Sequence, residues 1–228
     1  MEKFIFHPKN LEVEECVPAP QPAKNYYPDW MKKMEKSWTA PDGQIRFTAT
    51  HCAPFTDTFT SGYIQELSSD LNLNFTEIEG KDAVTYSYDG KYKIISQRKD
   101  IEGMPNYLPD FYGYYHLEFS WESGWEPRTP DGYSTFYSHP ANRLDLPFTT
   151  LSGIIDTDQW SVTGPVPFLV KKGFQGIIPK GTPIYQMNFI KREDWQSNIS
   201  KFDQGFIDMQ LNKFGGYKKN FWARKEFN

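Results

Sequence analysis

Gly153-Ile154-Ile155-Asp156-Thr157-Asp158, followed by Ile178-Pro179-Lys180-Gly181-Thr182-Pro183-Ile184-Tyr185-Gln186-Met187, decides the fold. Short apolar runs rich in Ile, Val and aromatics are cut at close intervals by Gly, Pro and Asp. Strands are bounded this way, whereas a helix would need an uninterrupted 3.6-residue period. The same alternation runs through residues 129–194, opening on Thr129-Pro130-Asp131-Gly132-Tyr133-Ser134.

Working outward, strands are expected over residues 112–121, 132–138, 148–155, 166–170, 176–178 and 184–190. Upstream, residues 44–50, 62–67 and 71–76 alternate in the same manner, and residues 3–7 form a short apolar run. Residues 84–88 and 92–95 flank Asp89-Gly90, a strong hairpin signal. Residues 52–57 read as a loop and 97–109 as polar and irregular. Turns recur about every eight to twelve residues, the all-β pattern. The fold class is therefore mainly β: a single compact β-sandwich or β-clip-like domain with a Pro-rich N-terminal arm and a short C-terminal helix.

The ends differ from the middle. Pro18, Pro20, Pro22 and Pro28 enforce extended backbone and exclude a helix, after which Asp29 can cap a short helix through Trp30, Met31 and Met34. Trp195, Ile199, Phe202, Phe206 and Met209 have helical spacing within residues 192–211, although Gly205 weakens it. Lys191, Arg192, Lys213, Lys218, Lys219, Arg224 and Lys225 make the tail basic. The organisation is an arm over residues 1–40, a β core over 41–191, and a helix with basic tail over 192–228. The arm lies across its own domain or across a neighbouring subunit.

Aromatic residues make up 17% of the 228, an excess suited to sheet faces and interfaces. With the arm, it favours a homo-oligomer or a protein partner. A net charge of −4 argues against nonspecific binding to nucleic acid. Cys16 and Cys52 have no metal-knuckle spacing and do not demand a disulfide. The N-terminus lacks the basic start and long apolar run of a signal peptide, and no run approaches membrane-spanning length. A cytoplasmic location, with no membrane association, is expected.

Two constellations could carry chemistry. The first is the pair Asp156 and Asp158, which also reads as ordinary turn carboxylates between two strands. The second is His116-Leu117-Glu118 on an expected strand, with His139 following. Two histidines and a carboxylate are the ligand set of non-haem iron oxygenases, and a strand histidine among aromatics is equally a packed core residue. No nucleophile elbow, P-loop or dinucleotide fingerprint is present.

Residues 153–186 resemble the trimeric dUTPases and their dCTP-deaminase relatives, in their Gly-apolar-apolar-Asp-x-Asp motif and the later Gly-polar-apolar-Gln element. Thr60-Ser61-Gly62-Tyr63 with Asp70 is similar to their first motif, and Phe214-Gly215-Gly216-Tyr217 faintly to their Gly-rich C-terminal one. The resemblance implies a β-clip, a trimer, and Asp156 as the carboxylate that positions water for nucleotide hydrolysis. It places Trp160 near the stacking aromatic. Two departures stand out. The family's phosphate-binding Arg-Ser-Gly is replaced by Pro130-Asp131-Gly132-Tyr133-Ser134, where Asp131 would repel phosphate, and the Ser-Thr-Gly of the tail motif is missing. The candidate ligand-binding set is Tyr133, Ser134, Asn142, Arg143, Asp158, Trp160 and Gln186. No cofactor is specified, and the enzyme readings would bring a divalent metal, Mg²⁺ or Fe²⁺.

Over most of its length the chain also resembles a family of proteins from tailed phages, notably those of marine cyanobacteria, and from some bacteria. The residues that carry this are Pro18-Ala19-Pro20 with Tyr26 and Pro28-Asp29-Trp30, then Cys52, Pro54-Phe55 and Asp57, then His139-Pro140 with Asn142-Arg143 and Asp145, and Lys191-Arg192-Glu193-Asp194-Trp195. The resemblance implies a phage-related origin, in the virion or the infected host's cytoplasm, and no particular activity; the arm, the aromatic excess and the lack of a convincing catalytic constellation lead to the expectation of a binding or structural accessory role.

Overall fold

Two adjacent residues, Glu79 and Gly80, set the longest hairpin. Both have positive φ, 52° and 75°, the geometry that joins two strands with matched twist. Leu71–Ile78 and Lys81–Tyr88 therefore pair antiparallel along their whole length. The expected hairpin at Asp89-Gly90 does not form, because Gly90 is not in the left-handed region that such a turn requires. The chain instead runs on to Ile95–Gln97, which pairs with Phe119–Trp121 in another sheet.

The computed structural model describes residues 4–97, 108–122, 124–160, 164–214, 216–223 and 225–227. Among them are sixteen strands, all of whose pairings are antiparallel, with four α-helices of five to eleven residues. The chain is mainly β with a short C-terminal helix. Most of the segment read as irregular, residues 97–109, lies outside the described residues.

The five-stranded sheet is the frame of the molecule. Its order is Gly153–Ile155, Tyr133–Ser138, Pro183–Lys191, Tyr63–Glu66, and the edge strand Gln21–Pro22. A four-stranded sheet of Phe148–Thr150, Val166–Val170, Phe119–Trp121 and Ile95–Gln97 shares one core with it. Trp121 stacks on Phe168 with centroids 3.6 Å apart and planes 6° apart, and meets Phe148 edge-on at 5.0 Å. Its indole N–H donates to Thr150 Oγ1 at 3.0 Å, and Thr150 donates in turn to the Ile184 carbonyl of the larger sheet. The two sheets are thus joined by packed rings and a satisfied polar bridge, as a buried indole requires.

Several local expectations change. Residues 148–155 form two strands in different sheets rather than one. Residues 112–121 are strand only at Phe119–Trp121, with an isolated bridge from Tyr114 to Lys171. Residues 53–60, read largely as loop, form the helix Ala53–Thr60; Pro54 fits its first turn, where no N–H is needed. Leu11–Cys16 is a further helix, capped by Asn10, whose side chain accepts from Val13 N at 2.9 Å. Asp29 is not a cap: the helix Asp29–Lys33 begins after Pro28, and Asp29 pairs with Lys32 within its first turns.

The Pro-rich stretch lies on the body of its own chain. Gln21 and Pro22 pair with Ile64 and Tyr63, and the Val17 and Pro18 carbonyls accept from Trp125 Nε1 and Gln65 Nε2. Contrary to the reading that prolines exclude helix there, Ala23–Tyr26 makes one 3-10 turn after Pro22. Cys16 and Cys52 are exposed and unpaired. No helix among the described residues is long and apolar enough to cross a membrane.

Candidate functional site

The strand Tyr133–Ser138 has Gly153–Ile155 on one side and Pro183–Lys191 on the other. Its start is a turn over Pro130-Asp131-Gly132-Tyr133, closed by Tyr133 N donating to the Pro130 carbonyl, with Gly132 at φ 82°. This register brings three distant pieces of sequence together: the turn at 132–134, the turn at 156–158, and Arg192 at the end of the last strand.

Asp158 is the hub. Its side chain is 1% exposed. It accepts from the backbone N–H of Gly132 at 2.8 Å and takes both Nη1 and Nη2 of Arg192. This bidentate guanidinium, assisted by the Gly132 N–H, holds the Asp158 carboxyl well below the usual carboxylate range and raises the Arg192 guanidinium in turn. Ser134 donates to Asp156 Oδ1 at 2.6 Å, and Arg192 Nη1 reaches both Ser134 Oγ at 3.1 Å and Asp156 at 3.3 Å. Beneath them the hydroxyls of Thr129 and Thr135 each lie 2.8 Å from that of Thr157.

Of the candidate residues, Tyr133, Ser134, Asp156 and Asp158 are therefore brought to one place, joined by Arg192. Sequence reading placed Arg192 in the basic tail. Its signal was available: a strand ends beside it, and Asp156-x-Asp158 offers the carboxylates that a guanidinium seeks. Trp160 follows on the same turn, through its N–H to the Asp156 carbonyl, and its ring is exposed. Chemically, the arrangement is an interlocked double turn. Asp156 is half exposed, but the cation beside it is already engaged by Asp158.

Gln186, Asn142 and Arg143 form a separate group. Gln186 is 2% exposed. Its Oε1 accepts from Ala141 N at 2.8 Å, and its Nε2 donates to the carbonyls of Thr58 at 3.0 Å and Ser61 at 2.6 Å. Thr58 lies in the last turn of Ala53–Thr60, where carbonyls lack helical partners, so Gln186 caps that helix from outside. Asn142, at φ 57°, donates to Thr58 Oγ1, and Arg143 is bidentate with Asp145. The cavity beside Gln186 and Arg143 measures about 10 Å³, room for a single water.

His116, Glu118 and His139 are not assembled: among the described residues no group of three or more His, Cys, Asp or Glu is placed to hold a metal ion. His116 is not on a strand; it pairs with Asp110 on the wall of an open groove of about 850 Å³ that also includes Asp82 and Lys172. Glu118 accepts from Leu108 N at 2.7 Å. His139 has both ring nitrogens occupied, Nδ1 accepting from Thr150 N and Nε2 against the Arg143 carbonyl. That pattern requires a proton on Nε2, and burial pushes the ring's pKa down.

Protein-family models and curated proteins give no match to this chain.

Proposed function

We propose that this chain is a homo-oligomeric binding or structural accessory protein that acts through its C-terminal segment. The observation that carries this is a row of large apolar side chains with nothing over them. Between Lys191 and Gln204 the backbone has no regular structure, and Trp195, Ile199 and Phe202 are 85%, 96% and 79% exposed. The helix Gln204–Phe214 continues the row with Phe206 and Leu211. An exposed apolar stretch of this length marks a contact surface. The whole-chain resemblance to tailed-phage proteins supports a role in a virion or in the infected cell, and the resemblance to dUTPases points to a trimer. The hydrolase alternative has less support: the guanidinium beside Asp156 is spent on Asp158, and Asp131 opposes phosphate.

The test is the mass in solution of the wild type and of a Trp195→Ser, Phe202→Ser, Phe206→Ser variant, by light scattering after gel filtration. The wild type is expected to be oligomeric and the variant to dissociate while keeping a folded circular-dichroism spectrum, its melting temperature no longer depending on concentration. A wild type that is monomeric at all concentrations would overturn the reading.

A further inference from the structure

The C-terminal segment leaves the body and comes back. It departs at Arg192, held by Asp158, and returns at Trp222 and Lys225, which donate to Asp57 Oδ2 at 2.9 and 2.6 Å. Phe227 then meets Tyr63 edge-on, with centroids 6.0 Å apart. Between these anchors Trp195, Ile199, Phe202, Phe206, Leu211 and Phe221 are each at least half exposed. Such an excursion is costly in water unless a second surface covers it.

We infer that this surface belongs to a second copy of the chain, and that the return clamp is made in exchange, with Trp222 and Lys225 of one copy on Asp57 of the next. The inference rests on the homo-oligomeric reading above and names its contact. Three observations support it. First, Trp195, Ile199, Phe202, Phe206, Leu211 and Phe221 expose on the order of 1,000 Å², against about 800 Å² per partner in a stable interface. Second, the charges are complementary within one chain. Residues 192–228 carry seven Lys and Arg against five Asp and Glu, while residues 1–191 carry 18 against 24. A basic segment seeking an acidic body finds one on its own kind. Third, the stretch between Arg192 and Gln204 has no regular secondary structure. Eleven residues reach up to about 36–40 Å, enough to span a neighbouring domain, so the docking point that exists in each copy can be occupied from another. Exchange of an identical element is a low-cost route to closed oligomers.

The experiment uses the intact protein. Equal amounts of ¹⁴N- and ¹⁵N-labelled chains are unfolded together, refolded and treated with a carbodiimide, which joins a carboxylate to an amine already in contact with it. Asp57 and Lys225 should be linked, and mass spectrometry reads whether the two peptides carry the same label. Exchange predicts that about half of the linked pairs are mixed, the statistical value for random assembly of copies. Pairs of a single label in a sample that light scattering shows to be oligomeric would overturn the exchange and leave the oligomer standing. A monomeric sample would overturn both. Absence of the Asp57–Lys225 link would also overturn the exchange, because that clamp is its docking point.

Discussion

Replacing Gln186 with Leu removes three hydrogen bonds at once while nearly keeping volume. The amide joins Ala141, Thr58 and Ser61, so the 139–146 turn, the end of the helix Ala53–Thr60 and the last long strand all lose their common staple. At about 1 kcal/mol net for each bond, the loss is about 3 kcal/mol, and the orphaned N–H and two carbonyls push it higher. The 10 Å³ cavity beside the site admits one water at most, which limits repair. At about 2–4 °C per kcal/mol for a chain of this size, the melting temperature should fall by about 6–12 °C. Thermal melts followed by circular dichroism, with urea titrations for the free energy, would measure it. Gln186→Glu should be at least as damaging, since it sets a carboxylate against two carbonyl oxygens. If both variants melted within about 1 kcal/mol of the wild type, the staple would be refuted, and Gln186 would be free for the ligand-binding role its sequence context suggests.

Two further outcomes follow from single positions. Gly62→Ala should cost about 3 kcal/mol or more, seen as lost soluble yield or a much lower melt, because at φ 71° its Cβ would overlap the Met187 carbonyl. His139 gives a pH dependence: burial holds its folded pKa below the ordinary 6.5, so below that pH the unfolded chain binds a proton that the folded chain refuses. Stability should therefore decline as pH falls from about 6.5, and urea midpoints of a His139→Gln variant should show a flatter decline over the same range.

Strand positions were legible wherever apolar runs met strong turn residues: residues 63–66, 133–138, 166–170 and 183–191 all become strands close to their expected bounds. Asp89-Gly90 misled because local turn chemistry is permissive and does not choose a partner. The partner was chosen by Leu71, Leu73 and Phe75, which bury one face against the core and leave Lys81–Tyr88 to follow. Helical spacing in residues 192–211 gave the C-terminal helix but placed its start too early. Apolar side chains at that period describe a face, and the helix begins only at Gln204, where Asp203 accepts from Phe206 N. The clustering of Ser134 with Asp156 was partly legible, since both flank adjacent strands. Arg192 was not, because its place depends on a register that only the folded sheet fixes.

The same register bears on how the C-terminal segment would be released. Its two anchors are unequal. At the departure point the Asp158 carboxylate is bidentate with Arg192 and also bonded to the Gly132 N–H, three hydrogen bonds in one place. At the return point Lys225 and Asp57 are 42% and 18% exposed, an ion pair of the kind worth about 0.2–1 kcal/mol, with the Trp222 N–H as its companion. On the proposed exchange, opening would start at the return point, where the Phe227 contact on Tyr63 must also be given up, while Arg192 holds the origin of the segment. A fixed origin with a loose terminus is what exchange between copies requires. On the same proposal the interlocked cluster of Ser134, Asp156, Asp158 and Arg192 sits at a turn because it secures the base of the exchanged segment, and its chemistry is that of a lock.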